Sequence, residues 1–481
     1  MKSRIFSHSL AALVMLALLL SLTGTAQADS VGPCGPYVVQ TGNFFTITPN
    51  GSDDTASIQC ALDSASAAGP GSTVQFKAGT FHSGFIGANM LNGTIKGAGM
   101  DKSIIEVLPD LTCSSGGTMF FGIISSRLRM ADLSIHIPDE TPCDVENYDI
   151  GKALLDVIVI DGAQPWEGPD VCLPFSQDHP VDISVDSISI IGNNGDWGDP
   201  NYPNYLHVNA INGLGVWDYC NNTPPGVQNW SVKVTRSRFE HLGTPIHMGW
   251  LKGMHVQVGG SPNEGNYFNN NFNPTRFDFN RNSVFGVSYN KMQNTFGDGF
   301  SAWSDGATEL SIYQVHHNTI GVVGNGNGAW VEDDSFLNGT PAMSASITQN
   351  DFILNGPTAD GIVALDGKNF LFANNRFSGY ALFGINAGQW GYEGDPLVTA
   401  DGFLIKANNL NKLKTDIAPI ILTNTSANCV VVGTNKENVE DHGTNNVITG
   451  ATRHNGNSIG KAISEKMRLK ADMWKMFKHR K

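Results

Sequence analysis

VTRSRF (234–239), VSYNKM (287–292), VHHNTI (315–320), ITQNDF (347–352), FANNRF (372–377) and IKANNL (405–410) are variations on one phrase. Each is an apolar strand end, then a polar residue that is almost always Asn, then the apolar start of a second strand. The shared position is read as Ser237, Asn290, Asn318, Asn350, Asn375 and Asn409, at spacings of 53, 28, 32, 25 and 34 residues. The first gap then holds two units and each later gap one. A unit of about 25–35 residues cannot bury its apolar side chains alone, whereas stacked units form a continuous core. Asn suits the repeated position because its amide donates and accepts and tolerates left-handed backbone at a bend. At a coil separation of about 4.8 Å, such amides can bond one another along the stack. The pattern therefore predicts an all-β chain wound as a single-stranded right-handed parallel β-helix. With 54 glycines and only 15% charged residues, the composition suits many short strands joined by turns.

The second strands of successive coils carry the candidate chemistry. Aligning GDGFSAWSD (297–305), GNGNGAWVED (324–333) and ADGIVALDG (359–367) places Asp298, Asn325 and Asp360 at one position and Trp303, Trp330 and Leu365 at another. Asp305 and Glu332 then correspond, 27 residues apart. If Phe300 and Ala302 face inward, alternation sends Trp303 and Asp305 outward, and the next coil repeats this with Trp330 and Glu332. Two carboxylates on adjacent coils would approach the roughly 5–5.5 Å of a retaining glycosidase pair, with two indoles as an apolar platform for sugar rings. Asp305, Glu332 and Asp298 are the candidate catalytic residues, and Trp303, Trp330 and Asp360 the candidate substrate-binding ones. The competing reading is a covered Trp beside carboxylates that cap turns, and Asp298 and Asp360, next to glycines, suit turns well. Arg276, Arg281, Arg376, Lys291 and Lys368 form no recognisable cluster. His316 and His317, one expected inward and one outward, lack an obvious third metal ligand.

Upstream, TPNGSDDTASIQCALDSASAAGPGSTVQFKAGTF (48–81) reads as a short helix capped by Asp53 or Asp54, ended by Gly69-Pro70-Gly71 and followed by a strand from Thr73 to Phe76. With LNGTIKGAGMDKSII (91–105), it resembles the N-terminal cap and first coils of the pectate-lyase-like superfamily. That cap precedes lyases, hydrolases, phage tailspikes and proteins of no known activity, so the resemblance speaks for fold. NTFGDGFSAW (294–303) also resembles a worn polygalacturonase pattern. The second Asp and the His of that family are absent, Gly299 and Asn325-Gly326-Asn327 standing instead, so its mechanism does not transfer.

The ends of the chain complete the expected organisation. Lys2 and Arg4, the apolar run Leu10–Leu22 and Ala26-Gln27-Ala28 read as a cleavable signal peptide over 1–28, implying a secreted or periplasmic protein. The cap and first coils follow over 29–110, then coils over 111–460. A basic amphipathic helix over 461–481 presents Ile463, Met467, Ala471, Trp474 and Phe477 on one face. The signal contributes +2 and Lys461–Lys481 contributes +6, so the formal charge of −14 leaves −22 on residues 29–460. So acidic a body argues against nucleic acid. An exported chain also favours disulfides, with Cys34, Cys60, Cys113, Cys143, Cys172 and Cys220 as candidates; sequential pairing leaves Cys429 free. The expectation is a carbohydrate-active protein that cleaves a polysaccharide as a lyase or glycosidase, or binds one without catalysis as an envelope or adhesion protein. A lyase would use Asp residues to hold Ca²⁺ and an Arg or Lys as base.

Overall fold

The computed structural model describes residues 33–108, 119–125, 127–138, 156–161, 182–192, 212–217, 231–304, 309–337, 339–389, 398–433, 438–449 and 452–454. Within these, successive strands stack in parallel register from one coil to the next, and each full coil contributes three strands. One coil comprises Ser231–Thr235, Arg238–Glu240 and Thr244–Gly249; the next comprises His255–Gly259, Tyr267–Asn271 and Thr275–Asp278. First strands pair only with first strands of neighbouring coils, as in Val232 with Val256 and Val256 with Phe285. The second and third faces run on as one sheet around a bend. The result is the expected right-handed parallel β-helix.

Alternation along each strand builds the core. Phe285, Val287, Tyr313 and Val315 point inward and are fully enclosed, while Gln314 between them faces out. Because coils stack in register, like side chains meet like: Phe239 lies on Phe268 at 5.2 Å, Phe352 on Phe377 at 4.9 Å and Phe370 on Phe403 at 4.9 Å. Each such ring contributes roughly 1.5–3 kcal/mol by burial, with stacking in addition.

The corner between the first and second faces is held by the predicted amide ladder. Asn266 donates to Asn290 at 2.9 Å, Asn290 to Asn318, Asn318 to Asn350 and Asn375 to Asn408 at 3.0 Å, and Asn350 to Asn375 at 3.1 Å. The second amide hydrogen goes to a strand carbonyl of the preceding coil, as from Asn318 to Val287. Three details differ from the sequence reading. Asn266 supplies the member missing between Ser237 and Asn290. Asn408 occupies the last rung, and Asn409 begins the next strand. From Asn290 to Asn408 the left-handed residue is the one before the Asn, namely Tyr289, His317, Gln349, Asn374 and Ala407. The amide is thus selected for bonding rather than for its backbone.

The capping helix spans Thr55–Ala68, with Ile58, Ala61, Leu62 and Ala65 against the first coil. Gly69 and Gly71 follow at φ +87 and +85, where a Cβ would be strained. Asp54 precedes the helix, but its carboxylate accepts from the backbone of Asn50 and His82 and so ties the turn to a strand. Cys34 and Cys60 form a disulfide onto this helix, and Cys429 is free and buried. Cys113, Cys143, Cys172 and Cys220, the signal peptide and the basic segment 461–481 lie outside the described residues. No helix among the described residues is long and apolar enough to cross a membrane.

Candidate active site

The third face carries the candidate residues, in a register that corrects the expected one. Asp298 pairs with Asn327, Ser301 with Trp330 and Trp303 with Glu332. The coil offset is therefore 29 residues here, because the Gly-rich turn at 324–326 runs two residues further than the alignment allowed before the strand resumes at Asn327. Trp303 does not stand opposite Trp330, and Val363 rather than Leu365 follows Trp330. Asp305, which was to pair with Glu332, lies outside the described residues.

Displacement by an even number preserves the face, so Trp303, Trp330 and Glu332 do project outward. They are nevertheless covered: Trp303 is 5% exposed, Trp330 8% and Glu332 4%. Trp330 Nε1 donates to Glu332 Oε2 at 3.1 Å, and Trp303 Nε1 to Asp334 Oδ2 at 3.1 Å. The rings of Trp250, Phe279 and Trp303 stack along the flank at 5.0 and 5.3 Å. An open sugar platform is therefore replaced by indoles that hold carboxylates. Asp298 and Asp360 open strands rather than turns, and both are buried. Asn273 Oδ1 accepts from the Asp298 backbone at 2.6 Å, Asn327 donates to Asp298 Oδ1 at 2.6 Å, and Asp360 Oδ1 accepts from the Phe383 backbone at 3.2 Å. These bonds form a second polar ladder along the edge of the face.

Two rows matter for chemistry. In the first, His247, Arg276, Ser301 and Trp330 occupy one position on successive coils; in the second, Gly249, Asp278, Trp303 and Glu332 do so. Asp278, 3% exposed, joins the rows. Its Oδ2 lies 3.0 Å from His247 Nε2 and accepts from Arg276 Nε at 2.7 Å. The His247 and Arg276 side chains remain 15% and 28% exposed. A buried carboxylate thus fixes an imidazole and a guanidinium side by side at the surface of the flank, and orients the imidazole as a proton-transferring group needs to be oriented. Sequence reading missed this group because the coil containing Asn266 was not assigned. Its signal is TPIHMGW (244–250) against NPTRFDF (273–279), offset by 29 residues.

Glu332, Asp334 and Asp366 each offer an oxygen within 4.8 Å of the others, the one group of three or more such ligands among the described residues that could hold a cation. Each is also engaged by protein, Asp366 by Gln389 Nε2 at 2.6 Å. Beneath them Asp333 is fully enclosed, accepting from Ser304 Oγ and from the backbones of Ala342 and Met343. Burial nonetheless raises its pKa.

The coil architecture and its register define a right-handed parallel β-helix. No protein-family model matches the chain, and no curated protein does. Among solved structures, it is similar to the A-module of the Azotobacter vinelandii mannuronan C-5 epimerase AlgE4, at 15% identity over 84% of this chain and 94% of that one, TM-score 0.42. The catalytic unit of a GH87 α-1,3-glucanase from Streptomyces thermodiastaticus gives 12% identity over 85% and 67%, TM-score 0.41. A polygalacturonase from Erwinia carotovora gives 11% identity over 90% and 98%, TM-score 0.34.

Proposed function

We propose that this is an exported protein that cleaves a polysaccharide on its third face, with His247 as the proton-transferring group. The observation that carries the reading is the His247–Asp278–Arg276 constellation. Asp278 holds the imidazole in place through Nε2, and the 15% of the His247 side chain that stays exposed is where a substrate would meet it. Arg276 shares Oδ2, offsets the buried negative charge and presents the rest of its guanidinium at the surface. A polymer laid along the helix axis meets one coil after another, which suits a flank whose functional groups repeat at the coil spacing. Export is supported by the N-terminal signal pattern and by the Cys34–Cys60 disulfide.

The purified protein is to be screened against plant, algal and bacterial polysaccharides, with and without a calcium chelator. New reducing ends with unsaturated-uronide absorbance mark elimination; reducing ends without it mark hydrolysis. His247→Gln and Asp278→Asn should each lower turnover by about 10²-fold or more while the melting midpoint is unchanged. Full turnover in His247→Gln would sink the reading.

A second reading, binding without cleavage, is favoured by the indole bonds that engage the Glu332 and Asp334 carboxylates inside the protein rather than leaving them as an acid–base pair. Glycan retention with no product from any polymer would select it.

A further inference from the structure

Two imidazoles stand apart from this site, at the corner between the first and second faces. His316 ends the strand Ser311–His316, and His317 takes the left-handed corner position at φ 57. Neither enters the core: His316 is half-buried and His317 exposed. Their Nδ1 atoms lie 2.9 Å apart. His317 lies flat on Tyr289 of the preceding coil at 4.8 Å and 12°, and His316 meets the same ring nearly edge-on at 6.0 Å. The next residue, Asn318, is locked into the amide ladder and also donates to the His316 carbonyl at 3.2 Å. The corner is thus held in place from three sides and still open to solvent.

We propose that His316 and His317 form a surface chelate for a divalent transition cation of the Cu²⁺ or Ni²⁺ kind, with solvent completing the coordination shell. Metal–nitrogen bonds of about 2.0–2.1 Å put two nitrogens about 2.8–3.0 Å apart in a right-angled, square-planar or tetragonal arrangement. A tetrahedral ion such as Zn²⁺ needs about 3.3–3.4 Å. The observed separation matches the former. Without a cation, the contact is a hydrogen bond in which one Nδ1 carries the proton. On binding, that imidazole shifts its proton to Nε2, so that both Nδ1 lone pairs face the metal and no net charge is lost. The −22 body concentrates cations around the chain. Imidazole pairs of this kind follow the general rise in affinity toward Cu²⁺.

The test is a Cu²⁺ titration of the full-length protein by calorimetry, with electron paramagnetic resonance to count bound nitrogens. His317→Asn keeps a side chain that tolerates the left-handed corner, and His316→Gln keeps a polar strand end. His255→Gln removes an exposed imidazole elsewhere. Wild type and His255→Gln should show a site with a two-nitrogen signature. His316→Gln and His317→Asn should each lose that signature and weaken binding by about tenfold or more. Zn²⁺ should bind the wild type more weakly than Cu²⁺. Retention of wild-type affinity and of the two-nitrogen signature in either corner variant, at an unchanged melting midpoint, overturns the proposal.

Discussion

The Trp303 indole donates to the Asp334 carboxylate at 3.1 Å, one coil further along, so the most conspicuous aromatic of the third face serves the stack before it serves any ligand. Trp303→Phe keeps the ring packing on Phe279 but removes the donor, and Trp330→Phe does the same to Glu332. Each should lower unfolding free energy by about 1–3 kcal/mol, because a largely buried acceptor loses a bond. Urea denaturation measures this; an unchanged midpoint with lost glycan retention would restore the platform role.

The amide ladder makes its own forecast. Asn318→Ala strips the acceptor from the Asn290 backbone and side chain and abandons the Asn350 and Val287 oxygens, all inside the corner. A loss of about 3 kcal/mol is expected there and at Asn408, whereas exposed Asn409→Ala should change stability by about 0.5 kcal/mol or less. Equal losses at Asn408 and Asn409 would contradict the rung assignment.

Stability should depend on pH through two groups of opposite sign. Burial, aided by Arg238, lowers the His136 pKa below 6.5. The unfolded chain therefore takes up that proton first, and the stability present above pH 6.5 is lost as pH falls toward the folded value. His136→Gln should flatten the acid side of the stability curve. Burial raises Asp333 above 3.8, so its contribution is present at low pH and is lost as pH rises through the folded value. Asp333→Asn can still accept from Ala342 and Met343 and can donate to Ser304, so it should be neutral or stabilising at pH 7. Asp333→Ala should destabilise by about 2 kcal/mol. Equal losses in both variants would mean that the charge itself is needed.

The cysteines separate by chemistry. Burial pushes the Cys429 thiol up to about 11, so iodoacetamide should label it only after denaturation. Reduction of Cys34–Cys60, which closes 26 residues, should cost about 3 kcal/mol. Rapid labelling of native protein by mass spectrometry would refute the first expectation.

The fold was legible because a coil that cannot stand alone must repeat its corner chemistry, and the Asn phrase recurs from Asn290 to Asn375 with little variation. Inward and outward faces at Phe300, Ala302, Trp303 and Glu332 followed from alternation, since a period of two leaves no freedom once one residue is placed. The pairing of rows did not follow. Whether Trp303 meets Trp330 or Glu332 depends on how many residues the Gly324 turn consumes, and a glycine-rich turn accommodates either count without changing which residues face out. The His247–Asp278–Arg276 group was hidden for the same reason. Arg276 meets Asp278 at 2.7 Å two positions along one strand, but His247 is 31 residues from Asp278, and only the stacked register brings the two within 3.0 Å. Sequence by itself therefore determined the winding and the faces, which local periodicity encodes. Register, and with it the company each side chain keeps, was decided by tertiary structure, because turn length sets it and hydrophobic alternation is blind to shifts of two.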